Sequence, residues 1–114
     1  MRVINSRNGQ VVAARVRDAQ SFFSRLRGLI GSPPLAADEG LLLKGDNSIH
    51  SFLMRYPFDA VYLDADFRVL RVDASMRPNR VGPIVRGARS VLELAAQAAA
   101  RCDLRPGDVL VFEP

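Results

Sequence analysis

The chain has no tryptophan, and cysteine, histidine and lysine occur once each, as Cys102, His50 and Lys44. A single cysteine excludes an intramolecular disulfide and any cysteine-built metal site. Its plain role is that of a small apolar residue at a helix end. As a nucleophile it would need a base, and the one histidine lies 52 positions away. No apolar run approaches the ~20 residues that cross a bilayer, and residues 1–9 hold no apolar signal-peptide core. A cytoplasmic protein is the expectation. No internal period of 20–50 residues is present, which excludes repeat arrays. Gly28 and Gly31 are not followed by Gly-Lys-Ser or Gly-Lys-Thr, and no Gly-x-Ser-x-Gly occurs, so neither a phosphate loop nor a nucleophile elbow is present.

What the chain does have is 114 residues, 48% hydrophobic and 25% charged, enough for one domain over 1–114 with its own core. Sixteen basic residues against twelve acidic ones give +4, and every basic residue but Lys44 is arginine. The arginines are scattered from Arg2 to Arg105, often beside Asp or Glu, with no long run of one sign. Nucleic acid is therefore disfavoured as a partner.

Strands outnumber helices along the chain. Val3-Ile4 and Val11–Val16 flank Asn8-Gly9, a hairpin signal because both residues tolerate positive φ. Ala19, Phe22, Phe23, Leu26, Leu29 and Ile30 follow helical spacing, stopped by Gly31-Ser32-Pro33-Pro34. Leu41–Leu43, Ile49–Met54 and Phe58–Leu63 read as extended, with a bend at Arg55-Tyr56-Pro57. Asp64–Asp66 is a turn into Phe67–Val72, a second hairpin. Residues 75–87 read as a long loop, Ala88–Leu94 as a strand, Ala95–Arg101 as a short alanine-rich helix, and Val109–Phe112 as a last strand after the Arg105–Asp108 turn. The expected fold is mainly β, a small barrel or jelly-roll-like sandwich with two short helices.

Several motifs occur in a characteristic order. Leu26-Arg27-Gly28-Leu29-Ile30-Gly31 is followed by Phe52-Leu53-Met54-Arg55-Tyr56-Pro57-Phe58-Asp59-Ala60-Val61-Tyr62-Leu63-Asp64, then Val91-Leu92-Glu93-Leu94, then Leu104-Arg105-Pro106-Gly107-Asp108-Val109. Over about residues 10–112 this resembles the domain of unknown function (DUF) 192 family, small uncharacterised bacterial and archaeal proteins. The resemblance implies a small mostly-β fold and no established activity. Where that family usually carries Pro-Ala-Gly and a later Gly, this chain has Ala95, Ala96, Gln97 and then Asp103. The expectation is a longer helix and a stiffer loop.

The candidate site comprises His50, Met54, Arg55, Asp59, Arg86 and Glu93. His50 and Met54 share one face of an extended segment. Asp59 and Glu93 are carboxylates set among apolar strand residues, so each needs a partner or a shifted pKa. Pairing with Arg55, or with an arginine of residues 77–89, would make the carboxylates structural. Lining a pocket mouth would make them recognise a small polar or anionic ligand, with Arg77, Arg80, Arg86 and Arg89 reaching its anionic groups. An enzyme would use Asp59 and Glu93 as an acid/base pair, with His50 assisting, in a hydrolase. His50 with both carboxylates could hold a divalent cation, and Met54 favours a softer ion, but the spacing matches no metal motif. No metal or cofactor is expected. The leading expectation is a ligand-binding or accessory module rather than an enzyme. A hydrolase and a protein-interaction module using an exposed strand edge are the alternatives.

Overall fold

The computed structural model describes residues 1–18, 35–45, 57–76 and 84–114. They form β1 (Arg2–Asn5), β2 (Val11–Ala13), β3 (Arg15–Asp18), β4 (Glu39–Lys44), β5 (Phe58–Leu63), β6 (Val69–Met76), β7 (Ser90–Ala95), α1 (Ala98–Arg101) and β8 (Leu110–Glu113). The helical stripe Ala19–Ile30, the extended piece Ile49–Met54 and the bend residues Arg55 and Tyr56 lie outside the described residues.

The fold is mostly β. One sheet has the order β2-β1-β8 and the other β3-β4-β7-β5-β6. The second is mixed, because β3 runs parallel to β4 while its other neighbours pair antiparallel. The two sheets do not close into a barrel. They share one core: Val3, Val12, Ala13 and Leu110 from the smaller sheet pack in the same cluster as Leu42, Val61, Leu63, Leu92 and Leu94 from the larger, with Ala98, Ala99 and Cys102 of the helical end. This is the two-layer solution by which an amphipathic sheet hides its apolar face.

Both hairpins stand where the turn residues put them. Gly9 adopts φ +71° and donates its N–H to Asn5 O at 2.8 Å. Asp64 Oδ1 accepts the N–H of Asp66 and of Arg68, both at 2.9 Å, which holds the turn between β5 and β6. Two expectations are corrected. Val11–Val16 is not one strand: the N–H groups of Ala14 and Arg15 both turn to Asp38 O at 2.9 Å, so β2 stays in the small sheet and β3 enters the large one. A run of apolar and β-branched residues carries no mark of such a change of sheet. The helix is not extended either. β7 continues to Ala95, Gln97 takes φ +73°, and α1 has only four residues.

The final turn is tied to the first hairpin through Asp108. Its carboxylate accepts Asn5 Nδ2 at 2.8 Å, Arg105 N–H at 2.8 Å and Arg7 Nε at 2.6 Å. Burial by itself raises this carboxyl, but Arg7, the Arg105 N–H and Asn5 outweigh it and hold it below the ordinary range. A lowered folded-state pKa contributes stability above the ordinary carboxylate range and loses it as pH falls through the folded value. Asp108→Asn is therefore expected to lose about 2 kcal/mol at pH 7. Thermal melts between pH 2.5 and 7 should show the wild type losing its advantage over the variant on the acid side.

Candidate functional site

Asp59 and Glu93 occupy neighbouring central strands yet face opposite sides of the sheet. Asp59 registers with Leu94, and Glu93 with Ala60. Side chains alternate along a strand, so Asp59 shares the core face with Val61, Leu63 and Leu94. Glu93 shares the other face with Val91, Phe58, Ala60 and Tyr62. The two carboxylates thus do not bracket one cleft.

Asp59 is fully buried and satisfied by backbone. Its Oδ1 accepts the N–H of Ser75 at 2.8 Å and of Gln97 at 3.2 Å, and its Oδ2 accepts the N–H of Ala99 at 2.9 Å. Two of these donors sit in left-handed conformations, Ser75 at φ +51° and Gln97 at φ +73°. Ser75 lies where the β5–β6 register slips between Phe58↔Met76 and Ala60↔Asp73, a bulge that turns its N–H toward the carboxylate. No arginine takes part in these contacts.

Glu93 is also buried, 2% exposed, but its Oε2 has no hydrogen-bond partner among the described residues. Desolvation pushes its carboxyl up to about 7. Leu41 stands opposite it on β4 and Ala60 on β5. Phe58 and Tyr62 flank Ala60 along β5, on the same face, and both are buried. The Tyr62 hydroxyl is likewise buried, and its pKa is pushed up to about 12, first by burial and then by the nearby Asp73 charge, against the opposing charge of Arg71, with a hydrogen bond toward Asp73 adding to the rise. Asp73 registers with Ala60 and Arg71 with Tyr62, and Arg71 Nε holds Asp73 Oδ1 at 2.7 Å. Tyr62, Phe58 and Asp73 were not singled out from sequence. The period-two row Phe58-Ala60-Tyr62 is the signal that could have found them.

The other candidates fall elsewhere. Arg86 is exposed, in the turn before β7, and its charge is not among the causes acting on Glu93. His50, Met54 and Arg55 belong to the sequence between β4 and β5 and lie outside the described residues, as do Arg77 and Arg80. Arg89 is exposed, and its backbone caps the strand ends through Leu63 O and Gly45 N–H. Cys102 is buried at the end of α1, donating its thiol to Ala98 O at 3.1 Å, and burial pushes that thiol up. Among the described residues no cluster of three His, Cys, Asp or Glu side chains could hold a metal, and no helix is long and apolar enough to cross a membrane.

Asp59→Asn should be costly. An amide offers one acceptor oxygen where three N–H groups converge, so about 3 kcal/mol should be lost in urea unfolding. Gln97→Gly should act the other way, gaining roughly 0.5–1 kcal/mol by relieving a left-handed conformation, net of glycine's entropy when unfolded.

The comparisons agree with this fold. The chain is 29% identical over 115 residues to a UPF0127 protein of Thermococcus sibiricus, spanning 97% of this chain and 74% of the relative. A solved protein of unknown function from Novosphingobium aromaticivorans superposes with a TM-score of 0.73 at 20% identity, covering 97% of this chain and 82% of its own. A solved candidate transcription regulator from Sinorhizobium meliloti gives 0.70 at 23% identity, covering 96% and 89%. At these identities the two structures speak to fold alone. The model of the DUF192 family, described as "Uncharacterized ACR", matches residues 3–112, and this chain belongs to that family, for which no activity is established.

Proposed function

We propose that the protein is a small-ligand-binding module whose site lies on the Glu93 face of the five-stranded sheet. The observation that carries this reading is the buried Glu93 Oε2, which has no hydrogen-bond partner among the described residues, on the strand beside Tyr62. Buried polar groups are nearly always satisfied, and each orphan costs about 1–3 kcal/mol. A buried carboxyl that weakens the fold has its rationale in something it binds. Asp59 belongs to the scaffold in this reading, and a hydrolase built on Asp59 and Glu93 is not supported because they face apart.

A small ligand is favoured over nucleic acid because Arg2, Arg7, Arg15, Arg17, Arg71 and Arg105 are each engaged by an acidic side chain. The reading includes a cytoplasmic, bacterial setting. A lone thiol, buried and unpaired, supports the compartment.

The test has two arms. A raised carboxyl pKa leaves the folded state holding a proton that the unfolded state releases. Wild-type stability should therefore fall as pH rises from about 4.5 to about 7 and then level off, a loss of roughly 3 kcal/mol. Glu93→Gln should flatten that part of the profile in urea titrations. In a thermal-shift panel of metals, nucleotides, sugars, amines and small carboxylates, a hit should raise the wild-type midpoint and vanish in Glu93→Gln. A panel without any Glu93-dependent hit would remove the ligand-binding reading.

A further inference from the structure

We propose that a groove along the outer edge of β2 takes an extended acidic peptide, with one of its carboxylate side chains held by Arg101. This is a second site, separate from the Glu93 face. The space for it is open in the structure. One depression of about 250 Å³ lies between residues 11–14 on one side and Ala37, Asp38 and Arg101 on the other. A second, of about 500 Å³, is lined by Arg101 with Ala96, Gln97 and Ala100. Arg101 lines both, so the two meet at its side chain. Together they reach the size of ordinary ligand clefts, roughly 300–1,000 Å³. The wall along β2 is valine and alanine, whose short side chains let another backbone come close.

Among the described residues β2 is an edge strand of the small sheet. Gln10, just before it, points its C=O at the Asn5 N–H on β1, at 2.9 Å. Backbone groups alternate along an antiparallel strand, so Val11 points its own N–H and C=O away from β1. Val11 lines the groove and is 44% exposed. Such an unpaired donor and acceptor are what an added strand pairs with. The lane stops at Ala14, whose N–H is taken by Asp38 O. Arg101 supplies the charge. Its Nη2 donates to Ala37 O at 2.9 Å, which ties the side chain to the groove wall and leaves its other donors for a ligand. Among the described residues no carboxylate pairs with it. The neighbouring acids are committed elsewhere. Asp38 holds Arg15 through both oxygens, each at 2.9 Å, and Asp103 holds Arg105 and Arg7. The groove therefore presents one uncommitted charge, and it is positive. A basic peptide would meet it as a like charge, whereas a carboxylate can take its fork of N–H groups. Because the track continues past Arg101, an internal Asp or Glu side chain fits it rather than a chain end.

The test is NMR titration of the isotope-labelled protein with a short blocked peptide of alternating valine and threonine carrying one central glutamate. The peptide should shift the amide signals of Val11, Ala14 and Arg101. The same peptide with glutamine in place of glutamate should bind roughly tenfold more weakly, the worth of one charge-assisted contact. Arg101→Gln should weaken the glutamate peptide by a similar factor and leave the glutamine peptide unchanged, with the spectrum confirming that the variant is folded. Methylating the valine nitrogens of the peptide keeps its carboxylate but removes strand pairing, and should abolish binding. Equal binding of the glutamate and glutamine peptides, or no effect of Arg101→Gln, would overturn the proposal. Glutarate binding as tightly as the peptide would overturn it too, since the strand edge would then contribute nothing. Absence of binding, or shifts confined to β5 and β7, would likewise remove the β2 groove as a peptide site.

Discussion

Three backbone N–H groups from three different places converge on the carboxylate of Asp59, and the large sheet is organised around that convergence. Ser75 donates from the bulge in β6, Gln97 from the turn after β7, and Ala99 from the first turn of α1. A four-residue helix has no stability of its own, since nucleation costs more than a single turn returns. Here its N-terminal N–H groups are met by a fixed charge, the arrangement that favours an anion at a helix start. The same contacts offset the left-handed conformations of Ser75 and Gln97, which side chains bearing a Cβ resist. An interaction between β5 and its surroundings thereby sets the bulge, the turn and the helix together.

Alternation then fixes everything on the reverse side. With Asp59 committed to the core face, Phe58, Ala60 and Tyr62 must point the other way, and the unbroken register with β7 brings Glu93 opposite Ala60. A slip of β5 by one residue would turn Asp59 away from its backbone donors and move Phe58 and Tyr62 off the face that Glu93 occupies. The backbone donors that meet Asp59 are thus also what hold Glu93 in its own setting.

Much of this could be read before the structure. Turn chemistry located both hairpins, because Asn8-Gly9 and Asp64–Asp66 act through their own side chains and φ preferences. Apolar flanks marked Asp59 and Glu93 as carboxylates that need an explanation. What stayed hidden was relational. A strand's residues reveal which neighbours share a face, but not how that face registers with another strand, so Asp59 and Glu93 read as a pair. The kink at Ala14 depends on the carbonyl of Asp38, 24 positions on, and leaves no local trace. Glutamine at position 97, where the family pattern has glycine, predicts a longer helix by propensity. Tertiary contact instead keeps glycine-like geometry there, because the Gln97 N–H is needed by Asp59.

The contrast between the two carboxylates is the strongest argument about function. They are equally buried, on adjacent central strands, in sequence contexts that look alike. One is saturated by backbone donors and its burial is repaid within the fold. The other keeps an oxygen without a donor, and desolvation alone lifts it toward neutrality. A leucine in its place would pack against Val91 and Leu41 with no such cost, since apolar replacement of unpaired buried charge is commonly neutral or stabilising. The fold thus holds Glu93 at the expense of stability, whereas it depends on Asp59. A residue that opposes folding at the centre of a sheet is where a binding partner can supply what the protein itself withholds.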